Sequence, residues 1–218
     1  GQLAEAVLND ITLTVASLYH GLLIDKVSRK IRRIVTVHLK IDTGLGRFGI
    51  DNGEIIQLAK MLADNPYICL EGIYTHMAAG GTNIAYTKGQ FQEFINTVDK
   101  LLAEGIEIPL CHCANSAVLL NYPEMQLDAV RIGTLLAGQF PVGRVPLELQ
   151  ISNPCKLKTR IVAINILNKG SYLGYYRTFR LKQKAKIAVI PVGFCDGLAL
   201  SVNNRPIGVI DLMKLIFK

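Results

Sequence analysis

From Ile11 to about Gly138, short apolar runs alternate with helical periodicity, and this alternation limits the fold more than any other feature of the chain. Residues 11–16, 34–41, 69–75, 108–113 and 127–132 are runs of strand length with few charges, as strands covered on both faces require. Between them, residues 20–30, 52–65 and 87–104 carry apolar side chains at helical spacing. The clearest set is Phe91, Phe94, Ile95, Val98, Leu101 and Leu102, with Gly105 as the stop. A helix-like set of Leu3, Ala6, Val7 and Ile11 precedes the first run. A β-α unit repeated every roughly 25–30 residues predicts a parallel sheet or a (β/α) barrel. About five units are visible, where a closed barrel of this type has eight.

After Gly138 the helical periodicity stops. Pro141, Pro146 and Pro154 mark a linker, and residues 160–167 and 185–192 read as strands joined by a Gly- and Tyr-rich segment, 169–179. The expected fold class is therefore α/β: a partial (β/α)8 barrel over residues 1–140, then part of an all-β domain over 147–218.

Half of the 218 residues are hydrophobic and the mean hydropathy is +0.30, which excludes a disordered chain. No apolar run approaches the roughly 18 residues of a membrane helix and no secretory leader opens the sequence, so a cytoplasmic protein without a membrane partner is expected. The net charge is +7, but the cations are scattered, densest over 26–33 with a second cluster over 156–186, and neither interleaves aromatics in a nucleic-acid-binding pattern. This favours a small anionic ligand over nucleic acid. The five cysteines include no CxxC pair. In Cys111-His112-Cys113, neighbouring strand residues point to opposite faces, so reduced buried thiols are expected and no metal centre.

Polar residues concentrate where a barrel would use them. In the second run Val35, Val37, Leu39 and Ile41 form one face, while Thr36, His38 and Lys40 form the other. Lys and His on an inner face suit a barrel strand that ends at a polar pocket. Gly44, Gly46 and Gly49 let the backbone turn and hold Arg47 over the mouth. Lys40, Arg47, His76, Asn115, Ser116, Arg131 and Gly133 all lie at or just past strand C-terminal ends, the face that holds the active site in such barrels. Asn115-Ser116 and Gly133-Thr134 offer small donors and backbone N–H groups suited to a phosphate. Singly, His76 reads more readily as a satisfied strand-end histidine and Ser116 as a helix N-cap. Four such places in consecutive units favour one shared site.

These residues also carry a family resemblance. His38-Leu39-Lys40-Ile41-Asp42-Thr43-Gly44-Leu45-Gly46-Arg47, Gly72-Ile73-Tyr74-Thr75-His76 and His112-Cys113-Ala114-Asn115-Ser116-Ala117 occur in that order. Val130-Arg131-Ile132-Gly133, Gly174-Tyr175 and Ile190-Pro191-Val192-Gly193-Phe194-Cys195-Asp196-Gly197 follow. Over about residues 8–198 the chain resembles the alanine racemases, pyridoxal 5'-phosphate (PLP) enzymes of fold type III.

The resemblance implies interconversion of L- and D-alanine, supplying D-alanine for peptidoglycan, by a homodimer. It implies that Arg131 faces the pyridine nitrogen as a cation and that His76 bridges Arg131 to the phenol of Tyr175. Tyr175 would be one of two α-proton acid/bases and would enter the site from the other subunit. Arg47 would meet the cofactor's phenolic oxygen and the substrate carboxylate. Lys40 matches a position that is carbamylated in some members, where it supports Arg47. Ser116, Gly133 and Thr134 would bind the phosphate, with Asn115 lining that place.

The sequence also departs from the family pattern. The Lys-Ala-Asn/Asp-Ala-Tyr-Gly motif with the Schiff-base lysine is absent, and residues 202–218 hold no Cys-Met-Asp motif. The expectation is a fragment truncated at both ends, without the covalent PLP lysine and inactive alone. A non-catalytic racemase remnant and a serine racemase-type domain are the alternatives. Amino-acid decarboxylases of the same fold place a carboxylate where Arg131 stands.

Overall fold

The computed structural model describes residues 2–143 and 149–197. It divides into two compact units between Cys155 and Lys156. The domain boundary expected near residue 147 and the segment 202–218 lie outside the described residues.

The first unit is a β-α repeat. Helix α1 (Gln2–Leu8) leads to β1 (Leu13–Val15), then α2 (Leu18–Ile31), β2 (Val35–Lys40), α3 (Ile55–Ala63) and β3 (Ile68–Tyr74). Helix α4 (Ile84–Ala103), β4 (Leu110–His112), β5 (Ala114–Asn115), α5 (Ser116–Asn121) and β6 (Val130–Arg131) complete it. Strands β1-β2-β3-β4 form one parallel sheet in sequence order, and β5 pairs with β6, also in parallel. Sequential parallel strands joined through helices are the winding of a (β/α) barrel wall.

Local chemistry sets the helix ends. The Ser17 side chain accepts from the His20 amide to start α2, and Asn83 accepts from the Tyr86 amide to start α4. Helix α2 stops at Arg32, which sits in the left-handed region at φ 57°. Strand β2 shows the alternation read from the sequence: Val35, Val37 and Leu39 are buried on one side. They share one buried cluster with Leu58, Ala59 and Leu62 of α3 and with Phe94 and Leu101 of α4. Each such side chain contributes roughly 1.5–3 kcal/mol on removal from water.

The flanking strands are shorter than their apolar runs. β2 and β3 span six and seven residues, whereas β1 and β4 span three each. A strand with a ladder on one side only has fewer backbone partners to hold its ends. The run at 108–113 is paired only over Leu110–His112, and the residues just after it, Ala114 and Asn115, pair instead with Val130 and Arg131.

The second unit is β structure. β7 (Ala163–Leu167) pairs antiparallel with β10 (Ala185–Val189), and between them β8 (Tyr172–Leu173) pairs antiparallel with β9 (Phe179–Arg180). The Gly- and Tyr-rich joint is thus a small hairpin, closed by a 3-10 turn at Tyr175–Arg177. Among the described residues, no helix is long and apolar enough to cross a membrane.

Candidate active site

The loop after β2 is wrapped around one carboxylate. Asp42 Oδ1 accepts from the amides of Gly44 (2.9 Å) and Leu45 (2.8 Å). Its Oδ2 accepts from those of Gly46 (2.8 Å) and Arg47 (3.2 Å). Burial alone would raise the Asp42 carboxyl, but the four backbone donors outweigh it and hold its pKa below the usual value. The loop returns to the sheet at Ile50, whose amide donates to the Lys40 carbonyl. Gly49 makes that return possible: its φ is 153°, and a Cβ there would lie 2.3 Å from the Asp42 nitrogen. From α4, the Tyr86 hydroxyl donates to the Gly44 carbonyl, and Thr43 shares a hydroxyl hydrogen bond with Thr75.

Three cations converge on this end of the sheet. Lys40 is the last residue of β2 and only 7% exposed; its Nζ lies over the rings of Phe48 (5.5 Å) and Tyr74 (5.8 Å). Burial, then the charges of Arg47 and Arg131, lower its pKa, against an upward pull from Asp42. His76, just beyond β3, is pushed down by burial and by Arg131, Arg47 and Lys40 in turn, which keeps it neutral. Among the described residues, none of the ion pairs involves Lys40, Arg47 or Arg131. Asp42, the acid that raises the Lys40 pKa, already has both oxygens engaged by backbone amides.

Arg131 is the best-fixed of the three. Its Nη1 donates to His112 Nδ1 (2.6 Å) and to the His112 carbonyl (3.1 Å), and Nη2 donates to the Thr75 carbonyl (2.7 Å). The guanidinium lies over the Tyr74 ring at 4.8 Å, and Tyr74 stacks on the His112 ring, also at 4.8 Å. Among the described residues, the histidine hydrogen-bonded to Arg131 is His112, while His76, which the resemblance implied as a bridge from Arg131, feels Arg131 as its leading charge. The register explains it: His112 stands opposite Tyr74 on the neighbouring strand, while His76 has already left β3. His112 continues to His38 (Nε2 to Nδ1, 2.9 Å), and His38 Nε2 to Glu71 Oε2 (2.9 Å). Neither His38, His112 nor Glu71 was among the residues expected at the site, although both histidines lie in the motifs that carry the resemblance.

The remaining strand-end residues divide by role. Asn115 caps α5: its Oδ1 accepts from the Ala117 and Val118 amides, and its Nδ2 donates to the Met77 carbonyl. The cap is thus Asn115, and Ser116 is the first residue of the helix. Ser116 Oγ accepts from the Gly133 amide (3.1 Å), which leaves the hydroxyl hydrogen to donate elsewhere. The Gly133 amide is consumed by that bond, and Thr134 is exposed beside it. Of the thiols, Cys113 is buried and donates to the Met125 carbonyl, with its pKa pushed up to about 12 by burial. In the second unit, Tyr175 is 90% exposed, whereas Tyr172 is covered by the guanidinium groups of Arg177 (4.1 Å) and Arg180 (5.4 Å).

Residues 1–141 match the family model for the alanine racemase N-terminal domain, and residues 155–212 that for the alanine racemase C-terminal domain. Alanine racemase 1 of Caldanaerobacter subterraneus subsp. tengcongensis is 37% identical over 210 residues, 94% of this chain and 53% of that protein. The alanine racemase of Methanococcus maripaludis is 34% identical over 206 residues, 93% and 55% respectively. Among solved structures, alanine racemase of Clostridium difficile 630 superposes with a TM-score of 0.79 at 32% identity. That match covers 90% of this chain and 52% of the other. A complex of the same enzyme with cycloserine gives a TM-score of 0.76 at 30% identity. The chain spans about half the length of the curated relatives it matches.

Proposed function

As this chain belongs to the alanine racemase family, we propose that it serves the PLP-dependent interconversion of L- and D-alanine, as a protomer of a cytoplasmic homodimer, and so the supply of D-alanine for peptidoglycan. The observation that carries this reading is the group of Lys40, Arg47 and Arg131 at the strand ends, opposed among the described residues by an Asp42 carboxylate that four amides already occupy. Such an unbalanced cationic cluster favours an anionic ligand, and its chemistry fits PLP.

Arg131 would hold the ring nitrogen. A guanidinium only donates, so the nitrogen it holds must accept and stays unprotonated. Ser116, whose hydroxyl hydrogen is free of the Gly133 contact, would hold the phosphate with Thr134. Gly133 would contribute open approach, since a Cβ there would meet nothing within 4 Å, and Asn115 would shape the place through the α5 cap. Arg47, aimed by its own amide on Asp42, would meet the phenolic oxygen and the substrate carboxylate. Bound there, PLP supplies an electron-withdrawing ring that acidifies the α-proton of an amino acid.

Lys40 would support Arg47. Its lowered pKa raises the share of neutral amine, and that amine can add to CO2 with loss of one proton, giving a carbamate anion next to Arg47. Tyr175 would act as an α-proton acid/base in the site of the other protomer, with the neutral imidazole of His76 beside its phenol. The exposure of the Tyr175 ring supports this.

The test joins this chain to a barrel segment that carries the Schiff-base lysine and measures D-alanine formed from L-alanine, with and without Tyr175→Phe. The expected result is D-alanine from the joined protein and its loss in Tyr175→Phe. A joined protein that binds PLP but forms no D-alanine overturns the reading in favour of a non-catalytic remnant.

A further inference from the structure

The contacts behind Arg131 have a fixed direction. Arg131 Nη1 is a donor, so the His112 Nδ1 it touches must be an acceptor. A neutral imidazole has one N–H, so that of His112 sits on Nε2 and donates to His38 Nδ1. His38 then carries its hydrogen on Nε2 and donates to Glu71 Oε2. The same order follows from the other end, since a carboxylate accepts and so requires the hydrogen on His38 Nε2.

Two features of the backbone make room for this chain of contacts. Val37 pairs with Leu70 and His38 with Gly72, so Glu71 is an extra residue in β3 with no partner on β2. A bulge of this kind re-aims its side chain, here toward His38. Gly72 stands directly opposite His38, and a Cβ there would lie 2.6 Å from the imidazole Cε1 and Nδ1. The ring fits only because that position lacks a side chain.

We infer that Glu71, His38 and His112 form a one-way hydrogen-bond relay, seated by the bulge at Glu71 and by Gly72, that positions the Arg131 guanidinium at the mouth of the site. These are positioning residues: they act through Arg131 and not on the substrate. The inference rests on the proposed role of Arg131 only for its consequence in catalysis. The relay itself is a property of this chain.

The relay also resists protonation in a definite way. A second hydrogen on His112 would sit on Nδ1 and face the Arg131 donor, so the site opposes it directly. Burial, then Arg131 and His38, depress the His112 pKa to about 4, against a raising contribution from Asp128. The groups that face the two rings are Glu71 and Tyr74 from β3 and Arg131 from β6, with Lys40 over the far side of the Tyr74 system and Cys113 near Arg131.

The chain has four histidines, so each can be assigned by a single substitution. Long-range proton–nitrogen NMR on the full chain reads the tautomers, and side-chain nitrogen exchange reads how freely Arg131 turns. In the wild type, His38 and His112 should both be Nε2–H tautomers, with His112 neutral from pH 8 to 5. Glu71→Gln keeps an acceptor oxygen and should leave this pattern in place. Gly72→Ala, which displaces the His38 ring, and His38→Leu, which deletes it, should mix the His112 tautomers. Both should free Arg131 to turn about tenfold faster, the equivalent of one lost hydrogen bond. An Nδ1–H tautomer on His112 in the wild type overturns the relay, as does an unchanged Arg131 in both variants. If the relay behaves as stated but Arg131→Leu leaves PLP affinity unaltered, the cofactor role of Arg131 fails and the relay stands.

Discussion

Asp42→Asn gives the sharpest test of how the loop that carries Arg47 is held. Asp42 uses both oxygens, one for the Gly44 and Leu45 amides and the other for those of Gly46 and Arg47. Asparagine keeps one oxygen and turns its NH2 donor toward the other two amides, so half the loop loses its acceptor and the rest loses the charge. A hydrogen bond to a charged acceptor is worth roughly 1.5–3 kcal/mol when nothing replaces it. Gly44, Gly46 and Arg47 are exposed, and water will recover much of that. The net cost is about 2 kcal/mol, a drop of several degrees in Tm for a chain of this size. Urea unfolding near pH 7 and amide exchange at Gly44–Arg47 measure it. The effect must also depend on pH. The Asp42 carboxyl is depressed in the folded chain, so its contribution is complete above the unfolded value near 4 and is lost as pH falls through the folded one. Wild type and Asp42→Asn therefore differ at neutral pH and converge in acid. A difference below about 0.5 kcal/mol at neutral pH, within the range of ordinary surface changes, refutes the argument, and so does one that persists undiminished in acid.

The His112 pKa falls from 6.5 to about 4 on folding, so the chain loses stability as pH drops across that window, by up to about 1.4 kcal/mol per pH unit. Urea midpoints against pH should show this slope in the wild type and lose it in His112→Gln. Lys40→Met removes a desolvated cation that has no ion pair among the described residues and should leave the chain as stable or up to about 1 kcal/mol more stable, while weakening PLP binding; marked destabilisation refutes this. Gly49→Ala forces a Cβ against the Asp42 nitrogen at φ 153° and should cost more than about 3 kcal/mol, read as a loss of folded protein on expression. The 218 residues expressed alone should form no D-alanine with PLP present, because the family's Schiff-base lysine motif is not among them; any turnover counts against that.

The β-α winding was legible because it rests on periodicity. The apolar alternation of β2 and the helical spacing in α4 are properties of consecutive residues, and burial follows them closely. What the sequence left out is how long a strand stays paired. That depends on which neighbour supplies the ladder, so the run at 108–113 gave three residues to one sheet and passed its extension to another. Tyr172 shows the same limit in the second unit. It lies in the Gly- and Tyr-rich joint, and the guanidinium groups over it come from five and eight residues further on, across a hairpin that no periodicity announces.

At the site, the positions of Lys40, Arg47, His76, Ser116 and Arg131 at strand ends followed from the repeat, but their partners did not. The assignment of a histidine to Arg131 shows why. His76 was implied by the family resemblance, and it sits at a strand end like the others, the one geometry that the repeat supplied. His112 reaches Arg131 through cross-strand register, with Tyr74 between the two strands as a stacking surface. The pairing of β2 with β3, which seats His38 beside His112, carries a one-residue bulge at Glu71, and this has no compositional signature beyond a glycine beside a glutamate. A slip of one residue there would exchange Glu71 for Gly72 opposite His38 and set a methylene-bearing carbon against the imidazole. The glycine therefore selects the β2–β3 register, and that register seats His38 against the His112 that holds the arginine. Gly72 carries no reactive group, yet it decides the geometry of a group that does.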